Sequence, residues 1–308
     1  MNKVVIVGCG NVGMAFAFSL VISGANVDEL VLIDVNKDKA EGEALDLCHA
    51  LTYAPKNIKI KSGDYSDCKD ANIVCICAGR AQAPGETRSD LIGKNTLIIK
   101  SIVSEVEKTN FNGVYLVATN PLDAMTYATY KVSNFPASKV IGSGTTLDTA
   151  RLKYHIGKEL HISPKEIHAY VLGEHGDTEF ACWGNATLGG NSCDSLLTDN
   201  VKSKINYEVK TSAYDIINKK GNTAYGIGMS LLRISNAILN NERAILTVSS
   251  YDEQNDCYFS KPAVVGKNGI EQELVLNLNQ LDTSLLMDSI GKLQDEKNQV
   301  VKILREQK

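Results

Sequence analysis

The chain has 308 residues, 44% hydrophobic and 22% charged, with 36 acidic against 32 basic side chains and a formal net charge of −4. Its length exceeds the usual size of a single core, so two domains are expected. The composition is that of a soluble globular protein, and the charge balance offers no basic surface for nucleic acid or an anionic membrane.

Up to residue 142, short apolar runs alternate with helix-period segments, the pattern of a parallel sheet with crossover helices. Strands are predicted at Val4–Val7, Glu29–Ile33, Ile58–Lys61, Ile73–Cys77, Val114–Val117 and Lys139–Ile141, with helices near 12–23, 37–52, 89–108 and 122–132. Six such strands make an α/β Rossmann fold, a doubly wound parallel sheet of two mononucleotide-binding halves. The rhythm then changes. A helix near 146–160 and a strand near 167–172 are followed by helices near 205–219 and 224–240. Strands near 244–251, 262–265 and 270–276 come next, and an amphipathic helix over 282–305 closes the chain. Asn268-Gly269 reads as a hairpin turn. The second half is therefore an α+β substrate domain with antiparallel strands. No linker separates the halves, which gives domains 1–142 and 143–308 sharing a cleft.

Two features carry a structural reading. The uncharged stretch Val4–Val27 is long enough on paper to span a bilayer, but four glycines and two asparagines interrupt it and only Lys3 flanks it. A strand, tight turn and buried helix are expected there, not a membrane span or a secretory signal. The eight cysteines (9, 48, 68, 75, 77, 182, 193 and 257) include no CxxC pair and no zinc spacing. Buried reduced thiols in a cytosolic protein, and no metal centre, are expected. Cys75 and Cys77, at alternate positions of one strand, face the same way.

The first functional signal is Gly8-Cys9-Gly10-Asn11-Val12-Gly13, between a strand and a helix as a dinucleotide fingerprint requires. Asp34 ends the next strand, 21 residues after Gly13. A carboxylate there accepts from ribose hydroxyls and repels a 2′-phosphate, which favours NAD over NADP. The loop from Ala78 to Arg88 lies at the carboxyl end of a strand, and Gly79, Pro84 and Gly85 make it able to swing over a substrate. After the following strand comes Asn120-Pro121, where Pro121 suits a first helical turn and Asn120 its cap, facing the cleft. Asp148 and Arg151, three residues apart, share a helix face, with Asp148 in the first turn where the dipole favours a carboxylate. His175 sits in Gly173-Glu174-His175-Gly176-Asp177-Thr178-Glu179, with glycine on both sides. A histidine able to carry a proton, a carboxylate to orient it and an arginine to grip an anion make a reaction centre. Joined to a dinucleotide site, that centre points to hydride transfer. A nucleotide-sensing module on the same fold would be marked by loss of His175, Asp148 or Arg151, and all three are present.

In order, GCGNVG, AQAPGETR, ATNP, LDTAR, GEHGDTE and Gly221-Asn222-Thr223 resemble the L-lactate/malate dehydrogenase family, from residue 4 to the last helix. The resemblance implies hydride transfer between NAD(H) and C2 of a small 2-hydroxy or 2-oxo acid. It makes His175 the proton donor and acceptor at the substrate oxygen, Asp148 the group that orients it, and Arg151 the fork that binds the substrate carboxylate. Arg88, delivered by the closing loop, would stabilise charge on the carbonyl oxygen. Asn120 would lie by the substrate oxygen and Ser143 by the nicotinamide.

Malate enzymes of the family carry an arginine six residues before the loop arginine. Gln82 stands there in this chain, and with Thr223 it resembles the lactate branch, implying pyruvate and L-lactate as substrates. The alternatives are a malate dehydrogenase, with Arg80 reaching a dicarboxylate, and a branched-chain L-2-hydroxyacid dehydrogenase. Residue 4 already begins the first strand, so the N-terminal arm of vertebrate tetramers is expected to be absent, as in bacterial forms. Lys153 lies about 200° around the helix from Arg151, away from the reaction centre. Lys153 and His168 occupy positions where bacterial relatives bind fructose 1,6-bisphosphate across a subunit interface. The resemblance thus implies a cytoplasmic homo-oligomer, tetramer or dimer, of glycolysis and fermentation.

Overall fold

The computed structural model describes residues 1–80 and 85–306, so Gln82 lies outside the described residues. Strands β1 (Lys3–Val7), β2 (Glu29–Ile33), β3 (Lys59–Ser62), β4 (Ile73–Ile76), β5 (Val114–Val117) and β6 (Val140–Gly142) alternate with α1 (Asn11–Ser23), α2 (Lys37–Ala50), α3 (Arg88–Glu107) and α4 (Leu122–Val132). All six strands run parallel in the order β3-β2-β1-β4-β5-β6, which is the doubly wound order. Each residue of β1, β2, β4 and β5 is buried, as expected of strands covered on both faces.

The second half contributes α5 (Thr146–Leu160), β7 (Ile167–His168), β8 (Val171–Leu172), β9 (Phe180–Ala181), β10 (Thr187–Leu188) and β11 (Asn191–Ser192). Then come α6 (Cys193–Leu196), α7 (Asp199–Lys220), α8 (Tyr225–Leu239), β12 (Ala244–Asp252), β13 (Cys257–Gly266), β14 (Gly269–Glu273) and α9 (Gln280–Glu306). Strands β12, β13 and β14 extend the parallel sheet antiparallel, β12 joining β6 through Ser249 and Gly142. One core layer packs α1, α2 and α8 on one sheet face, and another packs α3, α4 and α9 on the other.

The uncharged stretch is strand, turn and helix, and no described helix is long and apolar enough to cross a membrane. α1 stops at Gly24, whose left-handed φ of 63° lets its N–H reach Leu20 O and Val21 O. All eight cysteines are free, and Cys75 Sγ of β4 lies 3.6 Å from Sγ of Cys77, just past the strand's end.

Three expectations need correction. The strand near 167–172 is two short strands in different sheets, β7 pairing with β10 and β8 with β9. The two-residue strands β9 to β11 are too short to carry a period in the sequence. α7 begins at Asp199, ahead of its predicted start near 205. β13 runs through Pro262 from Cys257. Pro262 O accepts from Leu274 N, so its missing N–H also points to that side, just beyond the end of β14, and no ladder bond is lost. The Asn268-Gly269 turn is present, with Gly269 at φ 90°.

Candidate active site

The carboxyl ends of the parallel strands assemble the site. After β1, Gly8 takes φ 105°, and a Cβ there would fall 2.5 Å from Ala78 N; at Gly13 it would fall 2.1 Å from Gly8 O. Both positions therefore exclude any side chain. Gly10, the exposed N-cap of α1, differs: a Cβ there meets nothing within 4 Å. Gly10 borders open space at a helix N-terminus, and the first-turn N–H groups of Asn11, Val12 and Gly13 have no helical acceptor. That is a cradle for a phosphate, and its donor set fits the pyrophosphate of NAD. Asp34 ties β2 to this turn, its Oδ2 accepting from Cys9 N at 2.8 Å and its Oδ1 from Asn36 N at 2.9 Å.

Asn95 of α3, fully buried, clips the next two loops together. Its Oδ1 accepts from Arg80 N at 2.9 Å, and its Nδ2 donates to Arg80 O at 3.2 Å and Asn120 O at 2.7 Å. Pro121 keeps ψ at 124° and is itself the cap of α4. Asn120 thus stands one residue outside the expected cap position, its carbonyl held by Asn95. Ser143 is buried at the end of β6, its N–H donating to Val117 O.

Asp148, in the first turn of α5 and 1% exposed, holds the centre together. Its Oδ2 lies 2.7 Å from His175 Nδ1, and its Oδ1 accepts from Arg151 Nη1 at 2.6 Å. Burial alone would raise Asp148, but His175 and then Arg151 more than offset it, holding the carboxyl below the usual range. Burial pulls His175 down, and the Asp148 carboxylate outweighs that and pushes the imidazole up to about 9. At neutral pH the ring is therefore an imidazolium, with Nε2 free of any partner among the described residues.

The glycines beside His175 have physical reasons. Gly173 takes φ 91° with Ser289 Oγ 2.6 Å from where a Cβ would stand, and at Gly176 a Cβ would fall 2.5 Å from Glu174 Oε1. Ser289, on α9, accepts from Glu174 N at 2.6 Å. The His175 N–H donates to Asp123 Oδ2 at 2.8 Å, and Ser249 Oγ donates to Asp123 Oδ1. Burial pushes Asp123 up to about 7. Glu179, 4% exposed, lies beside the pair, so that Asp148, His175 and Glu179 bring ligand atoms within 4.8 Å of one another. Burial and then the Asp148 charge raise Glu179 well above a carboxylate's usual range.

Sequence reasoning did not single out Asn95, Asp123, Glu179, Ser249, Ser289, Lys292 or Glu296. The available signal was on α9, where Ser289, Lys292 and Glu296 interrupt the apolar face of Ile290, Leu293 and Val300 at helical spacing. Arg88 opens α3 and donates to Glu174 and Glu296. Thr223 is half-buried in the turn between α7 and α8. Lys153 lines a separate cavity of about 380 Å³ with Arg233, Met229 and Ile245. Burial, then the Arg233 charge, lowers its ammonium pKa. His168 is exposed on β7, next to Ala169 of that cavity.

Residues 2–142 match the family model for the lactate/malate dehydrogenase NAD-binding domain, and 145–304 match that for the family's α/β C-terminal domain. The chain is 47% identical over 305 residues to L-lactate dehydrogenase 2 of Bacillus anthracis, covering 96% of this chain and 97% of the relative. It superposes on a lactate dehydrogenase from a Medee basin deep-sea metagenome with TM-score 0.95 and 44% identity, covering 97% and 99% of the two chains. The ligand-bound minor L-lactate dehydrogenase of Enterococcus mundtii gives 0.94 and 43%, covering 96% and 98%. With both halves matched in order and a strand-end site built on the same motifs, the chain belongs to the lactate/malate dehydrogenase family.

Proposed function

We propose that the chain is an NAD-dependent L-lactate dehydrogenase in which His175 moves the proton. NADH, when bound, supplies the hydride to C2 of pyruvate. The observation that carries the reading is the single buried Asp148 carboxylate shared by His175 Nδ1 and Arg151 Nη1. It fixes the ring so that Nε2 faces outward, and it keeps the proton there until the substrate oxygen takes it. In the direction of lactate oxidation the same nitrogen accepts the hydroxyl proton. Arg151 spends one nitrogen on Asp148 and keeps its other donors for the substrate carboxylate, where a planar fork outperforms a point charge. Arg88 stabilises negative charge on the carbonyl oxygen. Asn120 borders that oxygen, and Gln82 and Thr223 border the methyl group. Gly8, Gly10, Asn11, Val12 and Gly13 seat the pyrophosphate, Asp34 the ribose, and Ser143 the nicotinamide end. Residues 1–142 act as the cofactor domain and 143–308 as the substrate domain.

Oxidation of NADH with pyruvate, oxaloacetate and 2-oxoisocaproate tests this reading. Pyruvate should lead in kcat/KM by at least about tenfold, equivalent to about 1.4 kcal/mol at the transition state. A lead for oxaloacetate would assign a malate enzyme, and a lead for 2-oxoisocaproate a branched-chain one. The enzyme acts in the cytoplasm, in glycolytic fermentation, as a homo-oligomer, a tetramer or a dimer. Fructose 1,6-bisphosphate activates it through Lys153 and His168 at a subunit interface. The cavity that Lys153 shares with Arg233 supports this, because two cations face one space. Millimolar fructose 1,6-bisphosphate should lower the pyruvate KM and favour the tetramer in sedimentation. Indifference of both measurements would retire the site.

A further inference from the structure

Arg88 is assigned to the substrate, yet the structure shows it already engaged. Its Nη2 donates to Glu174 Oε1 and its Nε to Glu296 Oε1. Both acids are buried, 0% and 4% exposed, but they are held differently. Glu174 Oε1 also receives Lys292 Nζ at 2.9 Å, and its Oε2 accepts from the amide and hydroxyl of Thr178. Glu296 has no such support. Its Oε2 is buried without a hydrogen-bond partner, and among the described residues Arg88 is the one cation within ion-pair distance. Lys292, one turn earlier on α9, spends its ammonium on Glu174 and Asp177.

We propose that Glu296 is a positioning residue for Arg88, a buried counter-ion that competes with the substrate for the guanidinium and so sets substrate affinity. This rests on Arg88 being the group that meets the carbonyl oxygen. Drawing a cation away from a buried carboxylate leaves an uncompensated charge, which is strongly unfavourable. Lys292 and Thr178 spare Glu174 that cost when Arg88 moves, so it falls on Glu296. Burial raises the Glu296 carboxyl above its ordinary range, and the Arg88 charge opposes this. A group that only stiffened the α3–α9 contact would need no charge at this position.

The test is Glu296→Gln in the full-length chain, read by pyruvate KM and kcat and by the Kd of oxamate for the NADH-bound enzyme from NADH fluorescence. Removing the buried charge that holds the partly exposed Arg88 should lower both KM and Kd by about three- to tenfold, with a smaller change in kcat. Gln299→Ala is the control. It removes the 3.0 Å bond from Ser89 Oγ that joins the same two helices without touching Arg88, and should leave both constants unchanged. If Glu296→Gln melts early, Glu296→Met, of similar volume and no polar atom, replaces it with the same expectation. Constants that stay equal or rise overturn the competition while the lactate dehydrogenase reading stands. An unaltered protein that turns over no pyruvate overturns both.

Discussion

Replacing Asp148 by Asn keeps the shape of the site and removes the charge 2.7 Å from His175 Nδ1. The imidazole, with its side chain 26% exposed, is pushed from 6.5 up to about 9 chiefly because the Asp148 carboxylate overcomes the effect of burial. At about 1.4 kcal/mol per pH unit, that is a preference for the imidazolium of about 3 kcal/mol. At pH 7.5 the unaltered ring is therefore mostly protonated, whereas at the ordinary value of 6.5 it would be mostly neutral. Burial without its carboxylate would take the variant lower still. Because the folded value is raised, this protonation stabilises the protein fully below pH 6.5 and is lost as pH rises through about 9. The assay is kcat/KM for pyruvate from pH 5 to 10. The unaltered enzyme should lose activity as pH rises through the neighbourhood of 9, and Asp148→Asn should lose it about two units lower, with at least a tenfold deficit at pH 7.5. A variant whose midpoint coincides with that of the unaltered enzyme would refute the assignment of Asp148 as the source of the shift.

Three further outcomes follow from local geometry. Gly10→Ala should melt like the unaltered protein, since its Cβ meets nothing, yet bind NADH more weakly because that space belongs to the pyrophosphate; Gly13→Ala, 2.1 Å from Gly8 O, should lower the melting temperature as well. Equal NADH affinity in Gly10→Ala would move the cofactor elsewhere. Asp34→Ser should weaken NADH and narrow the gap to NADPH in fluorescence titrations, because the ribose acceptor and the charge that repels a 2′-phosphate leave together. Asp123, raised to about 7 by burial, withdraws stability as pH rises from its unfolded value near 3.8 to about 7, so Asp123→Asn should gain melting temperature relative to the unaltered protein at pH 8 and not at pH 4. A pH-independent difference would mean that burial does not raise the Asp123 carboxyl above its unfolded value.

How much was legible depended on whether the chemistry was local in the chain. The turn from Gly8 to Gly13, Asp34 at the end of β2, and Asp148 with Arg151 on one face of α5 were readable, because strand ends and helical spacing fix such neighbours. His175 was readable from its loop, but not why that loop needs glycine on both sides. The reasons, Ser289 against Gly173 and Glu174 against Gly176, rest on α9 and on a side chain folded back on itself. Asp123 and Ser249 meet 126 residues apart, and Arg88 and Glu296 meet 208 apart. No periodicity reports contacts of that range. The capping of α4 was misread at Asn120 because tertiary anchoring by Asn95 decided the loop. The split of β7 and β8 was hidden because two residues per strand carry no pattern.

In the proposed mechanism His175 moves the proton while a separate strand-end cradle holds the cofactor. The most direct measurement pairs NADH oxidation by pyruvate with NADH fluorescence titration in His175→Asn. Turnover should fall by at least about 10³-fold while the NADH dissociation constant stays within about twofold of that of the unaltered protein. Turnover within tenfold of the unaltered enzyme would contradict the mechanism.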